Sequence, residues 1–144
     1  MGSPARTLAW VGDKIAGLGT DVRFSRVFRT APMHRTDQPE YLNQAATLMI
    51  SMSPHQALRV FHRLEVQAGR QRRAEVRYGP RALDIDILLF GDIVLDSVDL
   101  KIPHPLMHRR PFVLHPLLEL APDLRDPRSG GGWGCCLREE GQLY

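Results

Sequence analysis

The sequence predicts an α+β domain in which antiparallel strands form a sheet packed against helices. Three observations carry this expectation. Two stretches repeat their apolar residues with helical spacing, and each carries its own start signal. Runs that alternate apolar and polar residues lie between and after them. Taken in order, the elements read helix, strand, strand, helix, loop, strand, short strand, helix, with strands grouped as hairpin-like pairs. The length of 144 residues suits one domain with a core of its own. No internal repeat is evident.

The first helix is expected from Ser3-Pro4 onward. Ser3 can cap it and Pro4 fits its first turn. Leu8, Val11, Ile15 and Leu18 fall on one stripe and Gly19 ends it, with Gly12 as a weak point. DVRFSRVFRT follows as a half-buried strand on Val22, Phe24 and Phe28. APMHRTDQPEY reads as a loop, and LNQAATLMIS as a strand with Ala46, Leu48 and Ile50 on one face. Ser53-Pro54-His55-Gln56 is a capping box with proline at the first helical position. The second helix then carries Ala57, Leu58, Phe61, Leu64 and Ala68 to a stop at Gly69. RQRRAEVRYGP reads as an exposed arginine loop. ALDIDILLF is the clearest strand, and IVL a short returning one. IPHPLMHRRP is broken by prolines. Pro111 opens a last helical piece, FVLHPLLELA, whose pattern Pro116 interrupts. The expected division is a domain over residues 1–123 and a poorly ordered tail over 124–144, where GGGWGCC has little periodicity.

Composition narrows the class. The hydrophobic fraction of 43% is far above that of a disordered chain. Net charge is +3, and Lys14 and Lys101 are the only lysines, so the basic residues are almost all arginine. Arginine forks suit phosphate oxygens. The two cysteines, Cys135 and Cys136, are adjacent, so no disulfide framework or CxxC zinc site is expected. No apolar run reaches the roughly 20 residues that span a bilayer, and no signal peptide is evident. The expectation is a soluble, cytoplasmic protein without a membrane partner, monomeric by default.

Asp84 and Asp86 carry the sharpest chemistry. Strand periodicity puts both on one face, roughly 7 Å apart at the root. Such a pair can bracket a hard cation, and magnesium in nucleotide enzymes is commonly held by one or two carboxylates plus substrate phosphates. Structurally paired carboxylates and an acidic surface face are the alternatives. Arg70, Arg72, Arg73, Arg77 and Arg81 precede the pair closely and could neutralise a polyphosphate. A solvated loop or a nucleic-acid surface would use the same residues. Against nucleic acid, Tyr78 is the only aromatic in that loop and no reading module is evident.

Further candidates are less specific. His62 and Glu65 share a helix face and suit either a nucleotide contact or a surface pair. His104 lies between Pro103 and Pro105. Arg110 precedes Phe112, which is either a stacking ring or core. Tyr41 and Asn43 flank Leu42 where loop meets strand. No GxxxxGK[ST] and no GxGxxG is present, so arginines and metal would have to hold phosphate.

At these residues a resemblance enters. Tyr78-Gly79-Pro80-Arg81-Ala82-Leu83-Asp84-Ile85-Asp86-Ile87-Leu88-Leu89-Phe90-Gly91 resembles the signature of the 6-hydroxymethyl-7,8-dihydropterin pyrophosphokinases. Arg29-Thr30-Ala31-Pro32, Asp37-Gln38-Pro39-Glu40-Tyr41-Leu42-Asn43, Ile102-Pro103-His104-Pro105 and Pro116-Leu117-Leu118-Glu119-Leu120-Ala121-Pro122 match in the same order. The resemblance covers roughly residues 3 to 123. It implies a ferredoxin-like antiparallel sheet against helices. It implies transfer of the ATP pyrophosphoryl group to 6-hydroxymethyl-7,8-dihydropterin, giving AMP. By the same resemblance Asp84 and Asp86 hold two magnesium ions, and Arg70 and Arg72 grip phosphates as catalytic arginines. His62, Glu65, Arg81, His104 and Arg110 contact ATP. Asn43 bonds the pterin edge, Tyr41 and Phe112 stack on its faces, and the backbone of Thr30 and Met33 wraps it.

The chain departs from that pattern in three places. Family members begin with a strand resembling YIALGSNLG, whereas Met1-Gly2-Ser3-Pro4 leads straight into the helix. One extra residue lies between Ala74 and Tyr78 relative to some members, and GGGWGCC replaces a polar stretch and short helix. The fold expectation therefore omits the first family strand. The competing expectations are an incomplete, catalytically defective homologue that at most binds nucleotide, and a nucleic-acid-binding domain.

Overall fold

The computed structural model of the chain describes residues 3–30, 41–73 and 83–133, with the backbone alone at 30 and 70–73. Helix α1 (Pro4–Ala16) starts as its cap predicts, with the Arg6 amide donating to Ser3 Oγ at 3.2 Å. Val11 and Ile15 are buried, and Leu8 and Leu18 pack beside them. The helix runs through Gly12, where a β-carbon would make ordinary van der Waals contact with the Phe24 ring 3.9 Å away.

The expected strand over DVRFSRVFRT is two strands, β1 (Thr20–Phe24) and β2 (Phe28–Thr30). The expected LNQAATLMIS strand is likewise two, β3 (Tyr41–Asn43) and β4 (Ala46–Met49). β1 pairs antiparallel with β4, and β2 with β3. Both breaks have one cause. Ser25 is buried, and its hydroxyl oxygen accepts from the Ala45 amide at 2.9 Å while donating to the Arg26 carbonyl. Gln44 Nε2 donates to the Ser25 carbonyl at 2.8 Å. These side-chain bonds replace regular ladder bonds and kink the long hairpin in its middle. At its other end no residue but glycine fits position 19, since a β-carbon would stand 2.1 Å from the Met49 carbonyl oxygen.

Helix α2 (Pro54–Arg73) begins with the predicted reciprocal cap: Gln56 N donates to Ser53 Oγ, and Ser53 N to Gln56 Oε1. It does not stop at Gly69. One glycine costs a helix about 1 kcal/mol, and the arginine and glutamine residues that follow are good helix formers. Arg70 and Arg72, expected in a loop, therefore lie in the last turn of α2.

The segment 83–90 corrects the strongest strand expectation. Its side chains alternate as predicted over 83–87, with Leu83 buried and Asp84 and Asp86 exposed, but Leu88 and Leu89, expected on opposite faces, pack against one and the same apolar cluster, and among the described residues the segment joins no ladder. Three of its backbone groups bond elsewhere. The Ile85 amide donates to Glu65 Oε2 at 2.7 Å, the His104 amide to the Leu88 carbonyl at 2.9 Å, and the Ile93 amide to the Phe90 carbonyl. The short hairpin of β5 (Leu95–Asp96) and β6 (Lys101–Ile102) follows. A 3₁₀ turn (Met107–Arg109) leads into α3 (Pro111–Leu120), which continues through the buried Pro116 rather than ending at it.

Two apolar clusters hold this α+β arrangement together. One joins Val11 and Ile15 of α1, Ala57, Phe61, Leu64 and Ala68 of α2, and Leu83. The other joins Met107, Leu114, Leu117 and Trp133. Trp133 lies ten residues inside the expected tail, yet it is only 4% exposed. An antiparallel bridge between Arg125 and Gly132 returns the chain to the core, and Arg128 holds the Asp126 carboxylate at 2.8 Å. The tyrosine-ended remainder, 134–144, lies outside the described residues.

Candidate active site

A cleft among the described residues has a volume of about 330 Å³. Its first wall is α2 and the 83–87 segment. Helical spacing brings Leu58, His62 and Glu65 to one face of α2. Strand-like alternation points Asp84 and Asp86 the same way from the neighbouring segment. The Glu65–Ile85 hydrogen bond locks the two elements together, so this carboxylate positions the backbone between the two aspartates. The second wall is the β5–β6 turn, with Val98, Asp99, Leu100 and Lys101. His104 and Pro105 close the cleft.

Five predicted residues therefore meet in one place: His62, Glu65, Asp84, Asp86 and His104. His104 is half-buried, and burial holds its imidazole below the ordinary histidine range. The nearby Asp86 carboxylate acts in the opposite direction and the Arg110 guanidinium reinforces the lowering. Arg110 thus lies near the cleft's closed end without lining it; its guanidinium carbon stands 6.0 Å from the Phe112 ring centre.

The predicted pterin residues form a separate neighbourhood. Tyr41 and Asn43 lie at the two ends of β3, which packs against α3, the helix that carries Phe112 in its first turn. Thr30 stands opposite Tyr41 in the β2–β3 register, and Asn43 opposite Phe28. Tyr41 is exposed, while Asn43 and Phe112 are half-buried. Met33 and Arg81 lie outside the described residues, as do the side chains of Arg70 and Arg72.

Sequence reasoning did not place Leu58, Ile87, Val98, Asp99, Leu100 or Lys101 at the cleft. Apolar residues on a stripe read as core, and only the fold shows which of them border a void. Lys101 alone carried a signal, as one of the two lysines and close to His104.

Among the described lining residues are four carboxylates, Glu65, Asp84, Asp86 and Asp99, and one ammonium, that of Lys101, which is ion-paired with Asp96. No three histidine, cysteine, aspartate or glutamate side chains converge as a complete metal-holding group among the described residues. A cation held there by Asp84 and Asp86 must draw its other ligands from water or a bound molecule, as magnesium does when it binds together with phosphates.

The architecture and cleft define the class: an α+β protein with an acidic cleft lined by four carboxylates and two histidines. The chain belongs to the 7,8-dihydro-6-hydroxymethylpterin-pyrophosphokinase (HPPK) family, whose sequence profile matches residues 1–122. It is 48% identical over 93 residues to a 2-amino-4-hydroxy-6-hydroxymethyldihydropteridine pyrophosphokinase of Synechocystis sp., covering 65% of this chain and 47% of that protein. It is 44% identical over 106 residues to the protein of that name from Pseudomonas aeruginosa, covering 74% of this chain and 64% of the relative. A mitochondrial folate synthesis bifunctional protein of Arabidopsis thaliana is 40% identical over 122 residues, 85% of this chain and 22% of that protein. The chain thus spans about half to two thirds of the first two relatives. Among the described residues no helix is long and apolar enough to cross a membrane.

Proposed function

We propose that the chain carries the magnesium-dependent transfer of pyrophosphate from ATP to 6-hydroxymethyl-7,8-dihydropterin, releasing AMP. The observation that supports this most is the convergence of His62, Glu65, Asp84, Asp86 and His104 on one cleft. The family to which the chain belongs supplies the reaction.

Four carboxylates would repel a triphosphate across a few ångströms unless cations intervened. Asp84 and Asp86 fit that need, and on this reading they hold two magnesium ions. When bound, the metal neutralises phosphate charge and favours ionisation of the attacking hydroxyl. The reaction forms a bond from the hydroxymethyl oxygen to the β-phosphorus and breaks the bridge between the α- and β-phosphates. Glu65 fixes the backbone that carries both aspartates. His104, mainly uncharged near neutrality, accepts from the Leu106 amide at Nδ1, which leaves Nε2–H to donate one hydrogen bond at the cleft's closed end. Lys101 and Arg110 contribute positive charge, and Arg70, Arg72 and Arg81 supply more from the end of α2 and the stretch that follows. Leu58, Ile87, Val98 and Leu100 offer an apolar surface to the nucleoside. Tyr41, Asn43, Phe112, Thr30 and Met33 form the pterin side. Water-filled, reducing surroundings such as the cytoplasm, and a monomer acting on small molecules without nucleic acid or membrane, complete the reading.

The test is AMP formation from ATP by the purified, folded protein. AMP should appear only when pterin and magnesium are both present. Folded protein that yields no AMP contradicts the proposal.

A further inference from the structure

We propose that His55, outside the cleft, is a positioning residue: by gripping Asp99 it fixes the β5–β6 turn as the apolar wall against which the uncharged half of a nucleotide rests. This rests on the reading of the cleft as a nucleotide site.

The turn needs outside support. β5 and β6 have two residues each, and so small a hairpin is not stable alone. Leu100 and Ile102 anchor its foot in the core, but Val98 at its tip is fully exposed and faces the cleft. Between foot and tip the bonds are polar. His55 Nε2 lies 3.2 Å from Asp99 Oδ1 and 3.4 Å from Ser97 Oγ. The Leu100 amide donates to Ser97 Oγ at 3.2 Å. The Ser97 hydroxyl has one proton, which it can give to Asp99 Oδ1 at 3.1 Å or to the Leu100 carbonyl at 2.8 Å.

His55 is the second residue of α2, directly behind the Ser53–Gln56 capping box. The helix is therefore rigid where the imidazole leaves it. The same helix, one turn on, presents Leu58 to the cleft that Val98 and Leu100 line from the β5–β6 turn. The grip thus sets the distance between two apolar surfaces that a flat ring would occupy. It also engages Asp99, a carboxylate that lines a cleft meant for an anion. The ring is 39% exposed and the carboxylate 63%, so the effect is that of a surface pair.

The experiment is calorimetric titration of magnesium-ATP into the full chain and its variants, with steady-state kinetics beside it. His55→Ala should weaken binding about two- to fivefold, the range open to an exposed pair. KM for ATP should rise by that factor, while kcat, KM for the pterin and the melting temperature stay unchanged. His55→Gln places an amide nitrogen near the position of Nε2 and should restore binding to within about twofold of wild type. If the alanine variant does not fold, His55→Leu, a good helix former, should show the same weakening. Equal affinity in wild type and the truncated variant overturns the proposal, as does equal weakening in His55→Ala and His55→Gln. Wild-type protein that binds no magnesium-ATP overturns the nucleotide reading itself, which is a distinguishable result.

Discussion

The two walls of the cleft are held in different ways. The wall made by α2 and residues 83–87 grows out of the larger apolar cluster, with Phe61, Leu64 and Leu83 buried beneath Asp84 and Asp86. The β5–β6 wall rests on Leu100 and Ile102, and its outer part is secured by Ser97, His55 and the Lys101–Asp96 ion pair. The difference separates two tasks. Groups that must hold charge in a fixed geometry stand on packed structure, which deforms little. Val98, at the outer end of the second wall, stands instead on polar contacts at the rim, whereas Leu58 and Ile87 offer their apolar surface from the packed wall.

That contrast can be broken from either side. The largest stability effect is expected where the second wall meets the core. Ile102 is 1% exposed, so Ile102→Ala should cost about 2–5 kcal/mol in urea unfolding. Glu65→Ala should cost less, about 1–3 kcal/mol, because it leaves the half-buried Ile85 amide without its acceptor. If the first wall depends on that bond, the variant should also lose magnesium-ATP affinity, whereas Glu65→Gln, which keeps an acceptor oxygen, should lose little of either.

The smallest effect is a titration. His104 should titrate below 6.5, which nuclear magnetic resonance can follow, and Asp86→Asn should lower the midpoint further by removing the carboxylate that raises it. The sign for stability follows from linkage. Between the unfolded value of about 6.5 and the lower folded one, the unfolded chain binds more protons, so stability falls as pH is lowered through that window. A midpoint at or above 6.5 would contradict the burial that closes the cleft.

Local chemistry was legible in the sequence and pairing was not. The caps at Ser3 and Ser53 depend on residues three positions apart, and both form as read. The alternation that sets Asp84 and Asp86 on one side of their segment was legible for the same reason. Whether that segment joins a ladder depends on a partner distant in sequence, and among the described residues none pairs with it. The kink at Ser25 was hidden because its bonds reach 19 and 20 residues away. Glycine-rich composition argued against order in the tail, yet one tryptophan has enough apolar surface to bring residues 124–133 back to the core.

The central claim is that Asp84 and Asp86 form the metal-and-phosphate end of this cleft. It is tested most directly by the rate of AMP formation in Asp84→Asn and Asp86→Asn, with melting temperature measured on the same samples. Each variant should lose at least about a hundredfold in rate, with the melting temperature of the wild-type protein retained. Near-normal turnover in either variant would contradict the assignment.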